Sequence, residues 1–81
     1  MDHLSVMSIR IDHRTNAAPK VQDVLTKNGD MILGRFGIHD PGEINQGLIT
    51  LSLRGNMGKI NHMMDELSSL EGVLKVNHMQ S

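Results

Sequence analysis

Apolar Ile49, Leu51 and Leu53 alternate with Thr50, Ser52 and Arg54, the period-two pattern of a strand with one buried face. Gly55 breaks the run and Asn56 is a good helix N-cap. After it Ile60, Met63, Met64 and Leu67 fall on one helical face, with Met57 and Leu70 at its margins. Gly72 suits a left-handed helix end, and Val73, Leu74 and Val76 supply a short apolar strand. Residues 46–76 therefore read as one strand-helix-strand unit.

A second unit of the same kind precedes it. From about Leu4 to Ile11 the chain predicts a strand with Met7, Ile9 and Ile11 on one side and Leu4, Val6, Ser8 and Arg10 on the other, so both faces are partly apolar. Residues 12–16 form a polar connection in which Thr15 or Asn16 can cap a helix whose early turn tolerates Pro19. Ala17, Ala18, Val21, Val24 and Leu25 cluster opposite Gln22, Asp23, Thr26 and Lys27, and Asn28-Gly29 ends the helix. The next strand is expected from about Met31 to Ile38, at a sheet edge, with Ile32, Phe36 and Ile38 alternating with Met31, Leu33 and Arg35. Gly34 and Gly37 mark a bulge or a close backbone approach. Residues 39–47, with Pro41-Gly42, Asn45 and Gly47, read as an exposed hairpin loop.

The order β-α-β-β-α-β predicts an α+β fold of the ferredoxin-like kind: a four-stranded antiparallel sheet, strand order 4-1-3-2, with two helices on one face and residues 1–81 in a single domain. The other face then carries Leu4, Val6, Met31, Leu33, Leu48 and Val73 without a cover. Burying about half of these at roughly 1.5–3 kcal/mol each would match the stability of a small domain, so a homodimer or homotetramer is expected.

Charge and composition narrow the function. Eight Lys plus Arg against nine Asp plus Glu give a net charge of −1, no field for drawing in nucleic acid or an anionic membrane. The chain has no cysteine, which excludes disulfide, zinc-thiolate, iron-sulfur and thiol-redox chemistry from its own residues. Phe36 is the only Phe, Trp or Tyr, too few for the stacking platforms of an RNA-binding sheet. No stretch approaches a membrane span and residues 1–8 lack a charged-then-apolar leader, so a cytoplasmic location is expected. Asp12 to Asn16 offers an arginine after the first strand but none of the glycines of a phosphate cradle, and no serine sits in a G-x-S-x-G turn. A non-catalytic module is the expectation, with a small ferredoxin-like enzyme bearing a site between subunits as the alternative.

Three stretches carry a family resemblance: ILGRFG at Ile32–Gly37, the Pro- and Gly-bearing loop after it, and Leu48–Val76 with its LEGVLKV ending. On these the chain resembles the small ACT-like regulators assigned to iron-only hydrogenase systems, whose fold is shared with the C-terminal domain of nickel-responsive transcription factors. The resemblance implies a ligand-sensing or protein-interaction module, assembled through its sheets and without catalysis. The nickel-type regulators carry a separate basic ribbon-helix-helix arm, whereas this chain starts directly in its first strand, so no direct nucleic-acid contact is expected.

The resemblance also directs attention to the connection after the first strand, where ACT domains hold amino-acid ligands. Asp12, Arg14 and Asn16 are the candidate ligand-binding residues, with Asn16 offering a side-chain amide or alternatively capping the helix. The usual turn glycine is absent and Pro19 removes one amide donor. Five histidines, His3, His13, His39, His62 and His78, invite a metal reading. His62 sits on the polar helix face beside Asp65 and Glu66, and His39 precedes Asp40 with no second histidine nearby in sequence. No complete tetrahedral or square-planar ligand set is expected within one chain, and no cofactor. A symmetric dimer could still bring two copies of His39 together, with Asp40 or Glu43.

Overall fold

In the computed structural model, which describes residues 2–81, the strand β1 (His3–Asp12) runs through the middle of the sheet. It is followed by helix α1 (Ala17–Lys27), a 3-10 turn at Gly29–Met31, strands β2 (Ile32–His39) and β3 (Gln46–Gly55), helix α2 (Met57–Ser68) and strand β4 (Val73–Gln80). The sheet order is β2-β3-β1-β4 and every pairing is antiparallel, the expected 4-1-3-2 arrangement read from the other edge.

Alternation on β1 and β3 sets the core. Their register pairs Met7 with Leu51 and Ile9 with Ile49, so Met7, Ile9, Ile11, Leu51 and Leu53 share the face that both helices cover. Ala17, Val21, Val24 and Leu25 of α1 and Ile60, Met63 and Leu67 of α2 close over them, as their helical spacing requires. Asn56 caps α2 through its side-chain oxygen, which accepts from the Lys59 amide at 2.9 Å. α2 ends at its Ser69 C-cap, and the turn that leads on into β4 carries Gly72, φ +89°.

The first half departs from its predicted phase. Met31, expected on the open face, is 3% exposed and belongs to the core, because the 3-10 turn swings it inward against Gly55, where a Cβ would come within 2.6 Å of the Met31 sulfur. One extra residue, Leu33, then stands in β2 between the Ile32–Leu53 and Gly34–Ser52 pairs. That bulge inverts the rest of the strand: Arg35 pairs with Leu51 on the helix side, while Phe36 and Ile38 pair with Thr50 and Leu48 on the open side. Val73 is corrected in the same way. It pairs with Ile11 and packs on the core, since Leu74 forms a bulge against β1 that lets Val73 and Val76 both face the helices.

The open face therefore carries Leu4, Val6, Phe36, Ile38, Leu48 and Met79. Phe36 and Met79 are each 68% exposed, Leu4 47% and Val6 38%. Leu33 is exposed at the β2 bulge, and Leu48 is half-buried between Ile38 and Arg10.

Candidate functional site

The connection from β1 to α1 is held from two sides. The Asp12 amide donates to the Gly72 carbonyl at 2.7 Å, and the His13 amide donates to the Asn45 carbonyl at 2.7 Å. One bond ties it to the α2–β4 turn and the other to the β2–β3 hairpin, so residues far apart in sequence fix one short loop. Gly72 is required there twice over. Its φ is one that side chains avoid, and a Cβ would overlap the Thr15 hydroxyl and lie 2.9 Å from the Ala17 Cβ.

Within the loop, the candidate residues divide. Asp12 is nearly buried and its carboxylate accepts from the Arg14 amide, Nε and Nη2, each at 3.0 Å. The Arg14 side chain, then its backbone amide, hold the Asp12 carboxyl below the usual carboxylate range, and Asp12 in turn raises the guanidinium. Asp12 is thereby occupied as the positioning partner of Arg14, whose side chain remains 66% exposed. Thr15, not Asn16, serves the helix start: its Oγ1 donates to the Asp12 carbonyl at 2.7 Å and accepts from the Ala17 amide at 3.2 Å. Asn16 occupies the N-cap position without a side-chain cap bond, which leaves its amide exposed beside Arg14.

Two groups near this loop escaped the sequence reading. His13 and His39 meet with ring centroids 5.1 Å apart and planes tilted by 48°. The β2–β3 and β1–β3 pairings together bring them into contact, for His39 stands opposite Gly47, Ile11 pairs with the same glycine from the other side, and His13 lies over it. They border a cavity of about 190 Å³ floored by Ile11, Ile49 and Gly37. They stand 26 positions apart in sequence, so no local spacing signals the pair. The second is an ion pair on the open face: Arg10 Nη1 donates to Asp40 Oδ2 at 2.9 Å and to Gln46 Oε1 at 2.6 Å. Asp40 also accepts from the Gly42 and Glu43 amides, shaping the hairpin; Arg10 and then these amides lower its pKa.

The remaining histidines are dispersed. His62 lies exposed on α2, 3.5 Å from Glu66, and Glu66 is held below its ordinary pKa chiefly by Lys27. His78 faces the helices opposite Met7 with its Nε2 buried and unpaired. Among the described residues no three His, Asp or Glu side chains converge as a metal-ligand group.

The βαββαβ topology, the strand order and the loop at the start of α1 define an ACT-like domain of the ferredoxin-like class. Residues 3–76 match the model of the TM1266-like family, described as "Iron-only hydrogenase system regulator, putative", and the chain belongs to that family. Among solved structures it is similar to an uncharacterized protein, TM1266, from Thermotoga maritima, with 24% identity and a TM-score of 0.89 over 99% of this chain and 98% of that one. The ACT domain from GTP pyrophosphokinase of Chlorobium tepidum is 20% identical, with a TM-score of 0.80 over 98% of this chain and all of that chain, 100%. The C-terminal domain of the MgtC protein from Mycobacterium tuberculosis is 14% identical, with a TM-score of 0.79 over 98% and 87% of the two chains. At these identities the likeness is one of fold. No curated protein matches the chain.

Proposed function

We propose that this protein is a non-catalytic regulatory module of an iron-only hydrogenase system, which self-associates through its open sheet face and senses a small ligand at the β1–α1 connection. The observation that carries the proposal is the apolar face itself. Six apolar side chains, from Leu4 to Met79, lie across all four strands where neither helix reaches, and a patch of this kind on a small domain marks an interaction surface. A second copy is the occupant that an 81-residue chain with a marginal core of its own gains most from.

Electrostatics favour regulation over catalysis. Every carboxylate with a resolved shift is lowered by a cationic neighbour: Asp12 by Arg14, Asp40 by Arg10 and Glu66 by Lys27. A general acid at neutral pH needs the opposite shift. The exposed Arg14 guanidinium and Asn16 amide instead suit recognition of a carboxylate or other small anion.

The test is genetic. In a host that makes an iron-only hydrogenase, deletion of this gene is expected to change hydrogenase transcript or activity levels. The wild-type copy should restore them, and a folded Val6→Lys copy, which breaks the face, should not. Unchanged hydrogenase levels in the deletion strain would refute the regulatory reading.

A further inference from the structure

The histidine pair can do more than stack. We propose that His13 and His39 form a two-imidazole chelate for a divalent transition-metal ion of borderline softness such as Zn²⁺ or Co²⁺, with water completing the coordination. The geometry fits. At metal–nitrogen distances of about 2.0–2.1 Å, two imidazoles on one tetrahedral ion stand roughly 5.2 Å apart between centroids. The rings of His13 and His39 are 5.1 Å apart, and their tilt of 48° is far from the parallel planes of a flat stack.

Three further features support a chelate. Neither imidazole is engaged by a side-chain hydrogen bond among the described residues, and the one ion pair involving a histidine is at His62. Both rings stand on fixed backbone: His39 is the last residue of β2, paired with Gly47, and His13 is anchored through its amide to Asn45. Two preplaced donors on separate elements cost less ordering entropy on binding than two on one mobile loop. Gly47 is the space that allows this placement, since a Cβ there would lie 2.5 Å from His13 Nε2 and 3.1 Å from the Ile38 carbonyl. The adjoining cavity leaves room for coordinated water.

Two donors do not make a four-ligand sensor site, and the chelate is correspondingly weaker and strongly pH-dependent, because each imidazole must be neutral to bind. Its consequence is mechanical. An ion held by both rings joins the start of the β1–α1 connection to the end of β2, next to Arg14 and Asn16, so metal loading stiffens the loop assigned to the ligand. The chelate does not depend on that assignment and stands or falls by its own test.

Zn²⁺ titration followed by calorimetry, and Co²⁺ titration followed by visible absorption, are to be run on wild type, His13→Ala, His39→Ala, the double variant and Gly47→Ala. A chelate predicts at least a tenfold loss of affinity in either single histidine variant and no greater loss in the double. Gly47→Ala, which retains both histidines but displaces His13, should also weaken binding. The controls His3→Ala and His62→Ala, at histidines away from the pair, should bind as wild type. Single variants within twofold of wild type, or a loss confined to one histidine, would overturn the proposal. Circular dichroism melts confirm that each variant is folded.

Discussion

The two faces of the sheet are built by the same strands and have opposite fates. On β1, Met7, Ile9 and Ile11 vanish beneath the helices while Leu4 and Val6, one residue out of phase, remain open to solvent. On β3, Leu51 and Leu53 are fully buried and Leu48 is only half-covered. The helix side of these two strands is almost wholly apolar, whereas the open side mixes Leu4, Val6 and Leu48 with Ser8, Arg10, Thr50, Ser52 and Arg54. Two helices of 11 and 12 residues can close one side of a four-stranded sheet and no more. The apolar residues left over on the other side are of little use to an isolated domain, and this asymmetry is the basis for assigning that face to assembly.

The sharpest way to break the comparison is to empty one face at a time. Leu51→Ala or Ile9→Ala should destabilise the fold by about 2–5 kcal/mol, because each leaves a cavity in a closed core. Leu4→Ala and Val6→Ala should each cost the dissociated chain less than about 1 kcal/mol. Urea unfolding at concentrations where the wild type is dissociated measures both sets, and equal losses on the two faces would contradict the division. Gly72→Ala should come next, with a loss on the order of 3 kcal/mol from strained backbone together with the clash at Thr15 and Ala17.

Met31 and Leu33 sharpen the boundary between the faces. Two positions apart and both apolar, they fall by simple alternation on the same open side, yet only Leu33 is exposed. Met31→Lys should unfold a large fraction of the protein, since it buries an unpaired charge beneath Gly55, whereas Leu33→Lys should leave the thermal midpoint of the chain within a few degrees of wild type. A well-folded Met31→Lys would contradict the core position of residue 31.

The smallest effect is electrostatic. Asp12, Asp40 and Glu66 all have lowered pKa values in the fold, against ordinary values of 3.8 for Asp and 4.5 for Glu. The unfolded chain therefore binds more protons than the folded one as acid is added. The stabilisation is full above the unfolded values and is lost as pH falls through the folded ones. This carboxylate contribution should be constant from neutrality to about pH 5 and decline below about pH 4. Asp40→Asn should flatten part of that decline, and an unchanged acid limb would contradict the Arg10–Asp40 pairing.

Much of the fold was legible because its signals are local. The alternation at Ile49–Leu53, the Asn56 cap and the Ile60–Leu67 stripe each act within one element, and the structure agrees with all three; Gly72 has the expected left-handed φ, but in the turn before β4, beyond the Ser69 C-cap of α2. Alternation misreads the second strand after Leu33, because a one-residue bulge inverts every later side chain, and Gly34 signals an irregularity without giving its sense. Phe36, Ile38 and Met79 were missed on the open face for that reason, or because β4 was followed only to Val76. The site was legible in part. Asp12, Arg14 and Asn16 do lie together on one loop, but the roles of Thr15 and Gly72 and the meeting of His13 with His39 depend on contacts across the fold that no sequence spacing records.

Static light scattering across low micromolar concentrations, on wild type and on Val6→Lys, tests most directly whether the open face is an assembly surface. The expected result is a wild-type mass at least twice the 9.0 kDa of one chain, falling toward a single chain in Val6→Lys while its circular dichroism spectrum is unchanged. A wild-type protein that scatters as a 9.0 kDa monomer throughout, or a Val6→Lys variant that assembles as the wild type does, would contradict it.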